Sequence, residues 1–161
     1  MNTRYKFIDL SYINEISGDS IAIKRELIEI FLDQIPEFES NFKEHFESKN
    51  WKLLAQVAHK AKSSVLSMGL ESLGKVDLKN LELFAQVVMK INLEKKISLS
   101  EKEILDLQII ESNLGGYPKE KMKWIMENAS EKKIQELIKK FTDICKNVTL
   151  ELNCELNSQV F

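Results

Sequence analysis

The feature that most constrains the fold of this chain is a run of apolar residues at three- and four-residue spacing between positions 21 and 46. An α-helix gathers residues at this spacing on one face, and the run is long enough for about seven turns. Charged residues fill the opposite face. The members of this stripe are Ile23, Leu27, Ile30, Phe31, Ile35, Phe38, Phe42 and Phe46. Pro36 lies inside it, but the stripe continues in phase on both sides, so we expect a bend and not an end.

A second long stripe lies near the C-terminus, where Ser130 is placed to cap the helix that carries it. Its members are Ile134, Leu137, Ile138, Phe141, Ile144, Cys145, Val148 and Leu152. One helix of this length and amphipathic character needs partners of the same kind to bury its apolar face. The two stripes therefore predict a protein built from packed helices.

Two further helices are predicted between the stripes. The first begins at Trp51 after the capping residue Asn50, and the second begins at about Glu71. The inner face of the second is predicted to hold Leu73, Val76, Leu81, Phe84 and Val88. A short helix over 9–16 precedes them all, and Ser20 follows as the cap of the long second helix. Five glycines and two prolines are few for 161 residues, which favours long helices over many turns. The sequence predicts an all-α fold, an antiparallel (up-down-up-down) four-helix bundle.

The chain is predicted to form a single domain over 1–161. Residues 7–91 hold the first helices, 92–128 form a helical insertion, and 129–154 form the closing helix. Inside the insertion, Ser100 and Glu103 have the spacing of a capping box, and the Gly- and Pro-containing stretch 113–118 is a break between two helices. The apolar content of the insertion argues against a disordered linker.

Composition excludes several classes of protein. A formal net charge of −2 gives no basic surface for nucleic acid. No apolar run of about 20 residues is present, so no membrane span is expected, and the N-terminus lacks the apolar core of a signal peptide. Cys145 and Cys154 are nine positions apart in a predicted helix, a rise of about 13 Å that is too long for a disulfide. Reduced thiols indicate a cytoplasmic protein.

The helix that begins at Trp51 carries the most informative residue of the chain, His59. At about 100° per residue, one face of this helix holds Ala55, His59, Lys62, Ser63 and Leu66. The opposite face holds Leu54, Val57, Ala61, Ser64, Val65 and Met68. His59 is therefore predicted to be exposed to solvent, with a cation one turn away, which is not the setting of a core histidine.

His59, Lys62 and Gly69 match the H-x-x-K-(x)6-G pattern of histidine-containing phosphotransfer (HPt) domains, and the resemblance extends in order over about 7–90. Its supporting residues are Phe7, Ile8, Asp9, Leu10, Gly18, Asp19, Phe31, Pro36, Glu37, Asn50, Trp51, Leu54, Ala58, Ser64 and Leu70. Three positions depart from the family pattern. Ser63 stands where glycine is frequent, Ala61 stands where leucine is frequent, and the pair Leu81-Glu82 comes one residue late.

The resemblance implies that His59 accepts a phosphoryl group from a receiver-domain aspartate and passes it to another receiver in a two-component phosphorelay. Imidazole, with an ordinary pKa of about 6.5, is largely neutral and nucleophilic at cellular pH. Lys62 is expected to favour the neutral ring and to stabilise the phosphate, and Ser63 to hydrogen-bond the ring or the phosphate. The residues expected to border the docking surface are Ala55, Gln56, Lys60, Leu66, Gly69, Ile13 and Ile16.

The expected partners are receiver domains of response regulators or of hybrid histidine kinases. The resemblance implies no cofactor and no metal site in this chain, since the receiver brings the acceptor aspartate and Mg²⁺. The sequence has no Gly-rich nucleotide loop, so we expect a phosphoryl carrier and not a kinase, acting as a monomer. His45, near the end of the second helix, is expected to be a surface residue.

Two alternatives remain open at this point. The chain could be a non-phosphorylated adaptor of HPt fold that binds and regulates a kinase or a receiver domain. Ser63 and the long insertion keep this alternative open, whereas the intact His59 and Lys62 favour phosphotransfer. The third reading is a purely structural helical bundle, against which the exposed face of His59 argues.

Overall fold

The computed structural model describes residues 4–158, and this part of the chain is all-helical and holds no β-strand. Its seven α-helices are α1 (Ser11–Ser17), α2 (Ile21–Glu47), α3 (Trp51–Ser67), α4 (Lys79–Glu94), α5 (Glu101–Gly115), α6 (Lys119–Asn128) and α7 (Glu131–Ser158). A short π-helical segment, Leu73–Leu78, runs directly into α4. The predicted all-α class is confirmed. None of the helices within 4–158 has the length and apolarity needed to cross a lipid bilayer.

The core lies where the four longest helices meet. Helix α2 contacts α3 and α7, and α4 contacts the same two helices, while α5 and α6 pack against α4. At the centre, the ring of Phe141 meets the rings of Phe38 and Phe42 edge to face, with centroids 6.4 and 5.2 Å apart. Such aromatic pairs contribute about 0.5–1.5 kcal/mol each beyond the area that they bury.

The predicted helix starts are confirmed by their caps. The Ser20 and Asn50 side chains each accept a hydrogen bond of 3.2 Å from a backbone N–H in the first turn of α2 and α3. Ser100 and Glu103 form the predicted capping box of α5, and Ser130 caps α7. Each cap satisfies a backbone donor that the helix itself leaves unpaired, at a gain of about 1 kcal/mol.

The predicted inner face of α2 is wrong at two positions. Ile23 and Ile30 are about half exposed, and the buried residue between them is Ile28. The buried face keeps a strict alternation of three and four residues, and its members are Ile28, Phe31, Ile35, Phe38 and Phe42. In this phase the position near the start of α2 is Lys24, whose ammonium pairs with Glu155 of α7 at 2.8 Å. Ile23 and Ile30 do not follow this alternation, so they lie outside the buried face.

Gly69 ends α3 and lets the N-terminal segment cross the end of this helix. Its φ is +77°, and the backbone N–H of Asp9 donates to the carbonyl of Met68 at 3.0 Å. A Cβ atom on Gly69 would lie 2.4 Å from the carbonyl oxygen of Asp9. Both the backbone conformation and the lack of space therefore require glycine. Asp9 itself lies before α1, which begins at Ser11 and not at residue 9 as predicted.

Replacing Gly69 with alanine is expected to lower the free energy of unfolding by more than about 2 kcal/mol, because strain at positive φ adds to a backbone overlap. Gly18→Ala is the matched control. Gly18 also has positive φ, but nothing lies within 4 Å of its added Cβ, so only backbone strain of about 1–3 kcal/mol applies and a smaller loss is expected than for Gly69→Ala. Urea denaturation measures the free energy of unfolding of both variants. Equal losses would contradict the close approach of Asp9 to Gly69.

Candidate functional site

His59 lies in the middle of α3 and presents its ring to solvent. The side chain is 65 % exposed, as the helical pattern predicted. Its Nδ1 atom lies 3.1 Å from Oε1 of Glu82, a residue of α4. The ring is thus held from one side by a neighbouring helix and remains open on the other.

Glu82 is a buried carboxylate that three nitrogen-bearing side chains surround. Its side chain is only 11 % exposed, and Oε2 lies 3.8 Å from Nζ of Lys62 and 3.9 Å from Nζ of Lys79. These distances are those of ion pairs without direct hydrogen bonds. A buried carboxylate is costly unless it is compensated, and here the compensation comes from two ammonium groups and one imidazole.

The contact between Nδ1 and Glu82 selects one form of the imidazole ring. Because an ionised carboxylate only accepts hydrogen bonds, we assign the proton of this contact to Nδ1. In the neutral ring the lone pair then resides on Nε2, on the opposite edge. The site therefore combines an exposed nucleophilic nitrogen with a fixed ring orientation.

Glu82 reaches His59 because of the π-helical segment. A π-helical turn closes a hydrogen bond from residue i to i+5 and so holds one residue more than an α-helical turn. The segment Leu73–Leu78 lies between Gly69 and Glu82, so its additional residue changes the direction in which Glu82 leaves the helix.

The π-helical segment is anchored on two sides. A Cβ atom on Gly74 would lie 2.7 Å from the side chain of Leu66, so the missing side chain allows the segment to approach α3 closely. Asp77 is buried and pairs with Nζ of Lys140 on α7 at 3.0 Å. Val76, predicted on the inner face, is 53 % exposed, because the wider turn rotates it outward. That prediction is wrong.

Three of the seven residues predicted to border the docking surface, Gln56, Lys60 and Ile16, are exposed. Gln56, Lys60 and Ser63 are exposed on α3, and Lys62 is half-buried beside Glu82. Ile16 of α1 is also exposed, at 49 %.

Four predicted surface residues have other settings. Ala55 is 6 % exposed and lines a cavity that His59 and residues of α4 and α5 also line, and Ile13 is 1 % exposed on the buried face of α1. The expectation that Ile13 borders an open docking surface is therefore wrong. Leu66 is half-buried against Gly74, and Gly69 is in contact with Asp9.

Two residues of the cluster were not predicted. Lys79 lies three residues before Glu82 on α4, a spacing that places both on one side of a helix. Nζ of Lys79 also lies 5.7 Å from the ring centre of Tyr117, in the connection between α5 and α6. The spacing of Lys79 and Glu82 is the signal that could have found Lys79, whereas nothing local in the sequence indicates Tyr117.

The cysteines lie apart from this site. Cys145 and Cys154 are both free, and burial raises the pKa of the Cys145 thiol to about 12, so it behaves as a core residue. Within residues 4–158, no group of three or more His, Cys, Asp or Glu side chains is arranged to hold a metal ion.

Comparison of this chain with protein-family models, with curated proteins and with solved structures finds no match. Its resemblance to HPt domains therefore rests on the residues quoted in the sequence analysis alone.

Substituting Glu82 with glutamine is expected to change the tautomer of His59. The wild-type ring should carry its proton on Nδ1, whereas the amide in the Glu82→Gln variant cannot enforce this because it can also donate to Nδ1. ¹⁵N spectra at about pH 9, where imidazole is neutral, report the two ring nitrogens. Glu71→Gln, at an exposed glutamate that pairs with Lys75, is the matched control. A wild-type ring protonated mainly on Nε2 would contradict the assignment.

Deleting Val76 tests the role of the π-helical segment. Removal of this exposed residue should convert the π-helical turn to α-helix and leave Glu82 beside His59, because the segment contains one residue more than an α-helix needs. The ¹⁵N spectrum of His59 should then keep the wild-type pattern. If the Val76 deletion variant folds but its His59 ring no longer carries the proton on Nδ1, the π-helical segment is not the place that accommodates the additional residue.

Proposed function

We propose that this chain is a histidine phosphotransfer protein of a cytoplasmic two-component phosphorelay. In this proposal α2, α3, α4 and α7 form the antiparallel four-helix bundle of an HPt domain, and His59 is the phosphoacceptor. The observation that carries the proposal is an imidazole that is 65 % exposed while its Nδ1 is held by a buried carboxylate. A purely structural histidine has no need of this arrangement.

The geometry supports a simple transfer step. The lone pair of Nε2 attacks the phosphorus of an aspartyl phosphate on the receiver, the bond from phosphorus to the aspartate oxygen breaks, and the receiver carboxylate leaves. The product ring bears phosphate on Nε2 and a proton on Nδ1, and its positive charge lies against Glu82. The reverse step delivers the phosphoryl group to a second receiver, and Mg²⁺ belongs to the receiver in both steps.

The lysines give this step its electrostatic setting. Lys62 and Lys79 lie within 4 Å of Glu82, on the Nδ1 side of the ring, so they offset the buried carboxylate and add positive charge beside the site that receives the dianionic phosphoryl group. Around the ring, the exposed side chains of Gln56, Lys60 and Ser63 provide a polar docking surface. The active site of a receiver domain is rich in carboxylates, so its negative charge complements the positive charge of Lys62 and Lys79.

The proposal is tested by phosphoryl transfer from phosphorylated receiver domains, with the label on this chain followed through acid and base. Wild-type protein should acquire a label that acid removes and base does not, as for phosphohistidine. His59→Gln should abolish the label, and His45→Gln, at the second histidine of the chain, should leave it intact.

Labelling measured beside binding separates the two functions that the sequence leaves open, since both allow His59→Gln to bind the receiver. A relay requires that wild-type protein acquires the label and that His59→Gln binds without acquiring it. If wild-type protein binds receivers but acquires no label from any of them, the phosphotransfer proposal is wrong and the HPt-fold adaptor takes its place.

A further inference from the structure

A cavity of about 360 Å³ opens beside His59, between α3, α4 and α5. Its apolar wall is formed by Trp51 and Ala55 of α3, Met89 of α4, and Ile109 and Ile110 of α5. The volume lies within the range of roughly 300–1,000 Å³ that small-molecule sites occupy. Helix α5, part of the insertion, thus builds one side of an enclosed space that the other helices alone do not form.

Three residues that line this cavity carry a buried polar atom without a hydrogen-bond partner. They are Trp51 with Nε1, a donor, Gln86 with Oε1, an acceptor, and Glu82 with Oε2, which has only the long ion pairs with Lys62 and Lys79 described above. Trp51 is only 4 % exposed, so bulk water does not compensate its N–H. Proteins rarely leave such groups unpaired, because each costs about 1–3 kcal/mol. The cavity therefore offers one donor and one acceptor to an occupant.

The charged groups of the wall are paired among themselves. Nζ of Lys52 lies 2.8 Å from Asp106, an ion pair that also ties α3 to α5. Glu82, at the end of the cavity near His59, is compensated by Lys62 and Lys79. A charged occupant would lose its hydration without gaining an unpaired counter-charge, so these pairs favour a neutral one.

We propose that this cavity binds a small neutral molecule with an apolar body and a carboxamide group. The carbonyl oxygen of the ligand accepts a hydrogen bond from Nε1 of Trp51, and its N–H donates to Oε1 of Gln86. Neither group takes part in phosphoryl transfer, although His59 and Glu82 also line the cavity. The proposed binding gives the insertion a role as the wall of a ligand site adjacent to His59.

Benzamide is the probe, since it carries a carboxamide on an apolar ring. Titration into ¹⁵N-labelled protein should shift the indole N–H signal of Trp51 in a saturable manner and leave that of Trp124 in place, with the two signals assigned through Trp124→Phe. Toluene lacks the polar group and benzoate is charged. Both should bind at least tenfold more weakly than benzamide.

Gln86→Met removes the unpaired acceptor at nearly constant volume. It should weaken benzamide binding at least tenfold and raise the melting temperature of the ligand-free protein, because a buried unsatisfied group is lost. Gln135→Met, on α7 and outside the cavity wall, is the matched control and should change neither quantity.

Three results would overturn the proposal. They are an indole signal of Trp51 that benzamide does not move, toluene binding as tight as that of benzamide, and unchanged benzamide affinity in Gln86→Met. If a receiver domain moves the Trp51 signal and benzamide does not, the cavity accommodates a side chain of the partner and the small-molecule site is excluded.

Discussion

The site depends on one buried carboxylate. Glu82 is enclosed by the bundle, yet it lies 3.1 Å from Nδ1 of His59 and within 4 Å of the ammonium groups of Lys62 and Lys79. Burial of the Glu82 carboxylate is energetically unfavourable without these partners, and Glu82 in turn orients their side chains. The histidine gains a defined tautomer and orientation while its ring remains open to a partner. One interaction thus links the packing of α3 against α4 to the chemistry proposed for the surface.

The position of that carboxylate is set by an irregular part of the backbone. The π-helical segment before α4 shifts the register of the helix by one residue, and Gly74 and the ion pair between Asp77 and Lys140 fix it against α3 and α7. π-Helical turns occur frequently at functional sites. Here the irregular turn lies directly before the helix that carries Glu82 to His59.

Local signals in the sequence were sufficient to predict the helices and the exposure of His59 to solvent. Caps such as Asn50 and Ser130 act through the adjacent backbone, so their effect is visible in a few residues. The position of Glu82 beside His59 could not be predicted by counting residues with an α-helical period, because such a count misses the additional residue of a π-helical turn. The cavity that Ala55 lines depends on where α5 lies, which is a tertiary arrangement that no local pattern contains.

The central claim, that Nε2 of His59 is the phosphoacceptor, is tested most directly by identifying the modified atom. Phosphoramidate, a small phosphoryl donor, requires no partner protein, and coupling between ³¹P and ¹⁵N in labelled protein identifies the nitrogen that carries phosphate. The account predicts phosphate on Nε2 of His59 with the proton retained on Nδ1. Phosphate on Nδ1, or modification of His45 with His59 left unmodified, would contradict it.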